Sequence, residues 1–128
     1  MKKVIIFTLF LILSLTGCKK EEETKLPIEG KWTLIFFEKG EHSELYEEGN
    51  INWEFNKYKE LIVEINDTLD LSESQLPITN PGTYKYVAAE EAISLEDVQY
   101  AVSLENGMLI LDHNSAAGGT QIKLKNIE

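Results

Sequence analysis

The sequence contains no arginine, and its 128 residues include one cysteine, three prolines and two histidines. Without arginine, the chain lacks the usual bidentate clamp for phosphate or carboxylate groups. A single cysteine excludes an internal disulfide. The 22 acidic residues outnumber the 12 lysines, so the formal net charge is −10. A surface this acidic repels phosphate backbones, which argues against nucleic acid as a partner.

The N-terminus has the pattern of a secretory signal. Lys2 and Lys3 precede an apolar run over residues 4–15, which is shorter than the roughly 20 residues that a membrane-spanning helix needs. The run ends in Leu15-Thr16-Gly17-Cys18, where small residues precede the only cysteine. This segment resembles the lipobox of bacterial lipoproteins. The resemblance implies cleavage before Cys18 and attachment to a membrane through lipid on that cysteine, palmitate included.

The lipobox resemblance divides the chain into three parts. They are a signal peptide (1–17), the lipidated cysteine with a flexible polar tether (18–29), and one domain (30–128). Loss of Lys2 and Lys3 with the signal peptide changes the net charge from −10 to −12. Lysines followed by acids directly after Cys18 also resemble an export signal that some Gram-negative bacteria use. We therefore expect a surface-exposed lipoprotein of the cell outer membrane, with its periplasmic face as the alternative.

From Gly30 onward, short runs of alternating apolar and polar residues are separated by turn-forming residues. This pattern is typical of all-β proteins, and short turns favour antiparallel, up-and-down pairing. We predict an eight-stranded antiparallel up-and-down barrel, with a β-sandwich as the alternative. The connections 39–50 and 67–82 are predicted to be polar loops at the rims. The predicted strands are Lys31–Glu38, Ile51–Asn56, Glu60–Asn66, Thr83–Val87, Ala92–Leu95, Val98–Leu104, Met108–Asp112 and Thr120–Lys125.

The first predicted strand opens with Gly30-Lys31-Trp32, and the second contains Trp53 and Phe55. With these motifs, most of residues 30–128 resembles the bacterial lipocalin-like lipoproteins, which have a calycin-type β-barrel. The resemblance implies that Gly30 and Trp32 pack at the closed end of the barrel. It also implies a basic residue over Trp32 from the last strand, which would have to be Lys123 or Lys125.

An eight-stranded barrel encloses an interior that is either filled by its own side chains or holds one small ligand. Five aromatic residues in alternating strands are expected to line it: Trp53, Phe55, Tyr84, Tyr86 and Tyr100. We therefore expect a small hydrophobic ligand. The alternative is a filled core in a non-enzymatic interaction or surface-presentation module, whose protein partner the sequence does not identify.

The sequence contains no recognisable catalytic, metal-binding or cofactor motif, so we expect no enzymatic activity, no metal and no cofactor. Glu41-His42-Ser43-Glu44 does not have the ligand spacing of a zinc site, and Ser115 lacks the sequence context of a nucleophile elbow. Asp67-Thr68-Leu69 resembles the short site at which some Gram-negative bacteria glycosylate exported proteins. Its position in a predicted loop would suit such a modification.

Overall fold

The computed structural model describes residues 28–127, so the predicted signal peptide, Cys18 and nearly all of the tether lie outside the described residues. Between residues 28 and 127, no helix is long and apolar enough to cross a membrane. A short 3₁₀ helix, Ser115–Ala117, precedes the last strand. The strands are β1 (Gly30–Lys39), β2 (His42–Leu45), β3 (Ile51–Phe55), β4 (Glu60–Ile65), β5 (Gly82–Ala89), β6 (Ala92–Leu95), β7 (Val98–Glu105), β8 (Met108–His113) and β9 (Thr120–Asn126).

The sheet closes on itself because β1 pairs with β9 as well as with its neighbours in the sheet order. Strand β9 takes one edge of β1, from Trp32 to Lys39. On the other edge, the first half of β1 pairs with β3 and the second half with β2. These two strands therefore share one position of the wall. The predicted eight-stranded antiparallel up-and-down barrel is confirmed, and the sandwich alternative is ruled out by the β1–β9 pairing.

Alternation of apolar residues sets which side chains point inward. In β3, Ile51, Trp53 and Phe55 are buried, whereas the residues between them are partly exposed. Their cross-strand partners on β4 follow the same alternation, with Val63 opposite Trp53. Facing residues on neighbouring strands share a side of the sheet. The inward side chains of both strands therefore belong to one core.

The tight turns have the backbone conformations that strand reversal requires. Glu96 and Asp97 have φ angles of 52° and 65°, and Asn106 and Gly107 have φ angles of 52° and 80°. Two successive residues with positive φ form the hairpin turn that matches the twist of the flanking strands. The two turns therefore have the geometry of tight antiparallel hairpins.

The chain reverses direction at every connection except 46–50, which joins β2 to β3 along one position of the wall. The other connections therefore gather at two ends of the barrel. The end that we call the mouth carries the connections 40–41, 66–81, 96–97 and 114–119. The opposite end, which we call the base, carries the turns 56–59, 90–91 and 106–107. The described chain also begins at the base, at Ile28, and finishes there, at Ile127.

Strand β2 is missing from the sequence prediction, which treated all of 39–50 as a loop. That prediction is wrong for His42–Leu45, which pairs with the second half of β1. These residues show no apolar alternation, and three of the four are exposed. The hairpin at Gly40, whose φ is 62°, returns the chain along β1. Backbone pairing, rather than burial of an apolar face, therefore defines this strand.

Trp32 lies at the base and is 3% exposed. Its Nε1 donates a hydrogen bond to the carbonyl oxygen of Ile28 at 2.9 Å, and Ile28 is itself buried. The pairing of β1 with β3 places Gly30 opposite Phe55 and Trp32 opposite Trp53. The indole thus links the entering chain to the barrel wall.

The expected contact of Lys123 or Lys125 with Trp32 is not present. Lys123 Nζ lies 5.3 Å from the ring centroid of Phe36, and Lys125 Nζ bonds to Glu48 at 2.8 Å. Alternation explains the difference, because the buried residues of β9 are Ile122 and Leu124 and the lysines between and beyond them point outward.

Candidate ligand site

Three of the five predicted lining residues meet inside the barrel. The rings of Trp53 and Phe55 lie 6.1 Å apart at 71°, and those of Phe55 and Tyr86 lie 5.2 Å apart at 88°. Each of the three is at most 4% exposed. Edge-to-face packing of this kind is the favoured geometry of aromatic pairs. These side chains form a continuous aromatic wall in the core.

The other two predicted lining residues have different surroundings. Tyr84 is half-buried, and its hydroxyl donates to the carbonyl oxygen of Asn80 at 2.6 Å. Tyr100 is 2% exposed and its ring lies 6.1 Å from that of His113. Burial raises the pKa of Tyr100. The structure therefore does not bring all five aromatic residues to one place.

Trp53 has an unusual feature for a core residue. Its Nε1 is buried and has no hydrogen-bond partner among the described residues, although Trp32 Nε1 is bonded. Leaving a buried donor unpaired costs about 1–3 kcal/mol, and native structures contain few such groups. Trp53 therefore carries a buried donor with no acceptor among the described residues.

A recess of about 370 Å³ lies at the mouth. This volume is within the range of roughly 300–1,000 Å³ found for small-molecule sites. The inward-facing partner of Ile65 is Ile51, and the next inward pair toward the base is Trp53 with Val63. Trp53 thus lies one residue pair deeper than Ile65 at the recess. The recess is lined by Ile65, Asn66, Asp67, Leu69, Leu71, Ser72, Thr79, Asn80 and Pro81.

The connection 66–81 forms a lid over the mouth. Its Leu76 and Ile78 are 6% and 2% exposed and belong to the main core, and Leu69 and Leu71 pack against it. The sequence prediction treated this connection as a polar rim loop, which is correct only for its exposed residues. The apolar pair on either side of Pro77 was the signal for burial.

The lid is attached to β2 through one carboxylate, that of Glu44, whose side chain is 14% exposed. Ser74 Oγ donates to Glu44 Oε1 at 2.7 Å, and the Gln75 backbone N–H donates to Oε2 at 3.0 Å. The Tyr46 hydroxyl also donates to Oε1, and His42 Nε2 lies 2.6 Å from Oε2. Four groups therefore converge on this side chain.

These contacts set the titration of the cluster. Burial by itself raises the pKa of Glu44, but the four hydrogen bonds outweigh burial and lower it to about 2. Burial, together with the hydrogen bond to Glu44, raises the pKa of Tyr46 to about 12. At neutral pH the pair is therefore a carboxylate and a neutral phenol. Hydrogen bonds to a charged acceptor are stronger than neutral ones.

We expect Glu44→Gln to lower the free energy of unfolding at pH 7 by about 1–3 kcal/mol. The amide has no negative charge, and its NH₂ group would face hydrogen-bond donors instead of acceptors. A lowered pKa in the folded protein means that the contribution of Glu44 is complete above about pH 4.5 and disappears as the pH falls through about 2. Urea denaturation of the two proteins should therefore give stability curves that converge toward pH 2.

Glu73→Gln is the matched control, since Glu73 is an exposed glutamate on the same lid. Its effect should stay within about 0.5 kcal/mol, as for most surface substitutions. Equal losses for the two variants at pH 7 would contradict the assignment of Glu44 as the attachment point of the lid.

Two members of the cluster, His42 and Glu44, belong to the sequence segment whose spacing does not match a zinc site. Within residues 28–127, no group of three or more His, Cys, Asp or Glu side chains is placed to hold a metal ion.

The remaining candidate residues have ordinary surroundings. Ser115 Oγ donates a hydrogen bond to Asp112, and His113 Nδ1 lies 3.0 Å from the carbonyl oxygen of Gln99. Thr68, the candidate glycosylation residue, is exposed.

Comparison of the sequence with protein-family models and with curated proteins finds no match.

Proposed function

We propose that this protein is a non-enzymatic, lipid-anchored component of the bacterial cell envelope whose barrel binds one small hydrophobic molecule carrying a hydrogen-bond acceptor. The unpaired indole N–H of Trp53 is the observation that carries the ligand proposal. The proposal also includes kinship with the lipocalin-like lipoproteins, which the sequence resemblance implies. It further includes a location on the outer membrane, where lipid on Cys18 would anchor the protein.

The chemistry of the site supports an apolar ligand with one neutral polar group. Ile65, Leu69 and Leu71 supply apolar surface at the recess, and the aromatic wall lies deeper in the core, outside the lining of the recess. Deeper in the barrel, Trp53 Nε1 is a donor that requires an acceptor. The chain has no arginine with which to hold a carboxylate as a bidentate pair. A ketone, ester or alcohol on a short hydrocarbon fits these surroundings better than an anion.

The ligand proposal predicts a specific effect of Trp53→Phe. The wild-type protein should bind 2-octanone about 10-fold more tightly than octane, since one buried hydrogen bond is worth about 0.5–1.5 kcal/mol. The variant, which keeps an aromatic ring but lacks the donor, should lose this preference and favour octane, because burying the ketone oxygen without a hydrogen bond costs free energy. Titration followed by nuclear magnetic resonance of the inward-facing methyl groups measures both affinities.

Tyr100→Phe provides the control, because it removes a polar group from a different part of the core. This variant should retain the preference for the ketone. A wild-type protein that binds the two molecules equally, or a Trp53→Phe variant that keeps the preference, would contradict the role of the indole.

A second function is favoured by the edge-to-face packing of Trp53, Phe55 and Tyr86. These rings fill the core, as expected for a solid barrel that serves as an interaction or presentation module. Native mass spectrometry of the protein extracted from its own membrane separates the two functions. A bound mass of a few hundred daltons supports the ligand proposal, whereas protein without added mass and without methyl shifts on titration supports the solid module.

A further inference from the structure

The exposed apolar side chains of the barrel are unevenly distributed. Of the five strongly exposed large hydrophobic residues among those described, four lie toward the base: Tyr58, Val87, Leu104 and Ile127, with 69%, 67%, 44% and 44% exposure. The fifth, Leu45, lies on β2, away from the base. The four lie on the β3–β4 turn, on β5, on β7 and after β9, so they are distributed around the rim of the base rather than along one side of the barrel.

Each of the four residues is positioned by the base itself. Tyr58 is in the turn between β3 and β4, where its backbone N–H donates to Asn56 Oδ1 at 2.9 Å. Ile127 follows β9 and donates its backbone N–H to the carbonyl oxygen of Lys31 at 3.2 Å. Val87 and Leu104 lie near the ends of β5 and β7 that run toward the base. We call these four side chains the base patch.

Charge also distinguishes the two ends. Lys57 and Lys59 flank Tyr58, and Lys57 Nζ lies 5.4 Å from the centroid of the Tyr58 ring. Exposed acids at the base include Glu29, Glu90, Glu91 and Glu105, so lysines and acids are mixed there. The mouth connections carry exposed Glu41, Asp67, Asp70, Glu73, Glu96 and Asp97, with Lys39 as a basic neighbour. The mouth is therefore the more strongly acidic end.

The position of the chain entry indicates what covers the base patch. Ile28 enters at the base and is ten residues after Cys18. The predicted flexible tether of ten residues would have a root-mean-square reach of about 17 Å, which is shorter than the roughly 33 Å length of a ten-residue strand such as β1. Lipid on Cys18 would therefore hold the base, rather than the mouth, close to the bilayer. Tyr58 and its neighbours Lys57 and Lys59 are of the residue types that suit the headgroup region of a bilayer.

We propose that the base patch docks on the headgroup region of the bilayer to which the protein is anchored, so that the barrel stands with its mouth directed away from the membrane. This inference rests on the lipid anchor of the proposed function. Its consequence is that the recess and lid remain open to the aqueous side while the protein is attached. The acidic mouth is then also the end farthest from anionic headgroups.

Two labelled variants test the orientation. Lipidation occupies the only cysteine, so the full chain produced in a lipoprotein-processing bacterium can be labelled at one introduced thiol. Glu90→Cys places a fluorophore at the base, and Glu73→Cys places it on the lid at the mouth. Both proteins are reconstituted in vesicles of phosphatidylethanolamine and phosphatidylglycerol containing a lipid with a nitroxide headgroup. We expect quenching at position 90 to exceed that at position 73 about threefold or more.

Further substitutions identify the contact. Tyr58→Ser with Val87→Ser, added to the Glu90→Cys protein, should reduce its quenching, although the tether keeps it above that of the mouth label. Quenching that these substitutions leave unchanged would assign the proximity to the tether alone and overturn the docking. Leu45→Ser is the matched control, because it removes the most exposed apolar side chain, 80% exposed, outside the base patch. It should leave the quenching at position 90 unchanged.

The anchor and the docking fail in distinguishable ways. Protein that does not float with the vesicles overturns both. Protein that floats but shows equal quenching at positions 90 and 73 retains the anchor and overturns the docking. The position 90 label could also be shielded from a water-soluble quencher in whole membranes but not in pure lipid vesicles. This result would mean that a protein covers the base, and it would also overturn the lipid contact.

Discussion

Replacing Trp32 with alanine is expected to lower the free energy of unfolding by about 3–5 kcal/mol, the usual cost of removing a large buried aromatic side chain. Trp32 is 3% exposed and faces Trp53 across the β1–β3 pair. Truncation would leave a cavity at the base and would deprive the Ile28 carbonyl oxygen of its indole donor. Urea denaturation in a Cys18→Ala background, where the chain carries no lipid, measures the change.

Tyr58→Ala is the control for this measurement. It also removes an aromatic ring near the base, but from a side chain that is 69% exposed. Its loss should stay near 0.5 kcal/mol or below, roughly the value for surface substitutions. If Trp32→Ala costs less than about 1 kcal/mol, packing at that end does not depend on the indole.

Cys18→Ala is expected to abolish incorporation of labelled palmitate and to move the protein from the membrane fraction to the soluble or uncleaved fraction. The physical reason is that each buried methylene of an acyl chain adds about 0.8 kcal/mol to membrane affinity, and two chains suffice for stable anchoring. Metabolic labelling and membrane flotation measure the two effects.

Lys19→Ala changes the neighbouring residue without removing the thiol, and it should leave palmitate incorporation intact. Incorporation that persists in Cys18→Ala would exclude the predicted anchor. In that case the sequence over residues 1–18 would be an ordinary secretory signal, and the proposed envelope location would lose its basis.

Local patterns were sufficient to predict most of the barrel. All eight predicted strands are present, and Ala92–Leu95 has the predicted bounds. Alternation of apolar residues fixes which side of a strand is buried, and a turn such as Asn106-Gly107 fixes where the chain reverses. Both signals involve residues a few positions apart. Single-sequence reasoning can therefore recognise them without knowing the partner strands.

The lid and its attachment could not be predicted in the same way. Glu44 and Ser74 are 30 residues apart in the sequence, and neither lies in an apolar pattern. Their hydrogen bond exists because β2 returns along β1 and places Glu44 beside the lid. Lys123 is a different case, because the alternation of Ile122 and Leu124 already indicated its outward direction, whereas the lipocalin resemblance implied a contact with Trp32.

The candidate site shows the same division. The alternation of apolar residues predicted that Trp53, Phe55 and Tyr86 point inward, and all three are buried together. It could not show that one indole N–H of the two tryptophans would find a partner and the other would not. That outcome depends on where the carbonyl group of Ile28 lies in space.

The sequence by itself determined the order of the predicted strands and the inward and outward alternation of their side chains. It also contains a lipobox pattern, whose function the Cys18→Ala variant tests. The tertiary structure decided which end carries the lid, which end carries the exposed apolar side chains, and which buried donor lacks an acceptor. The physical reason is range: strand periodicity and turn geometry act between near neighbours in the chain, whereas burial and hydrogen-bond pairing depend on closure of the whole sheet.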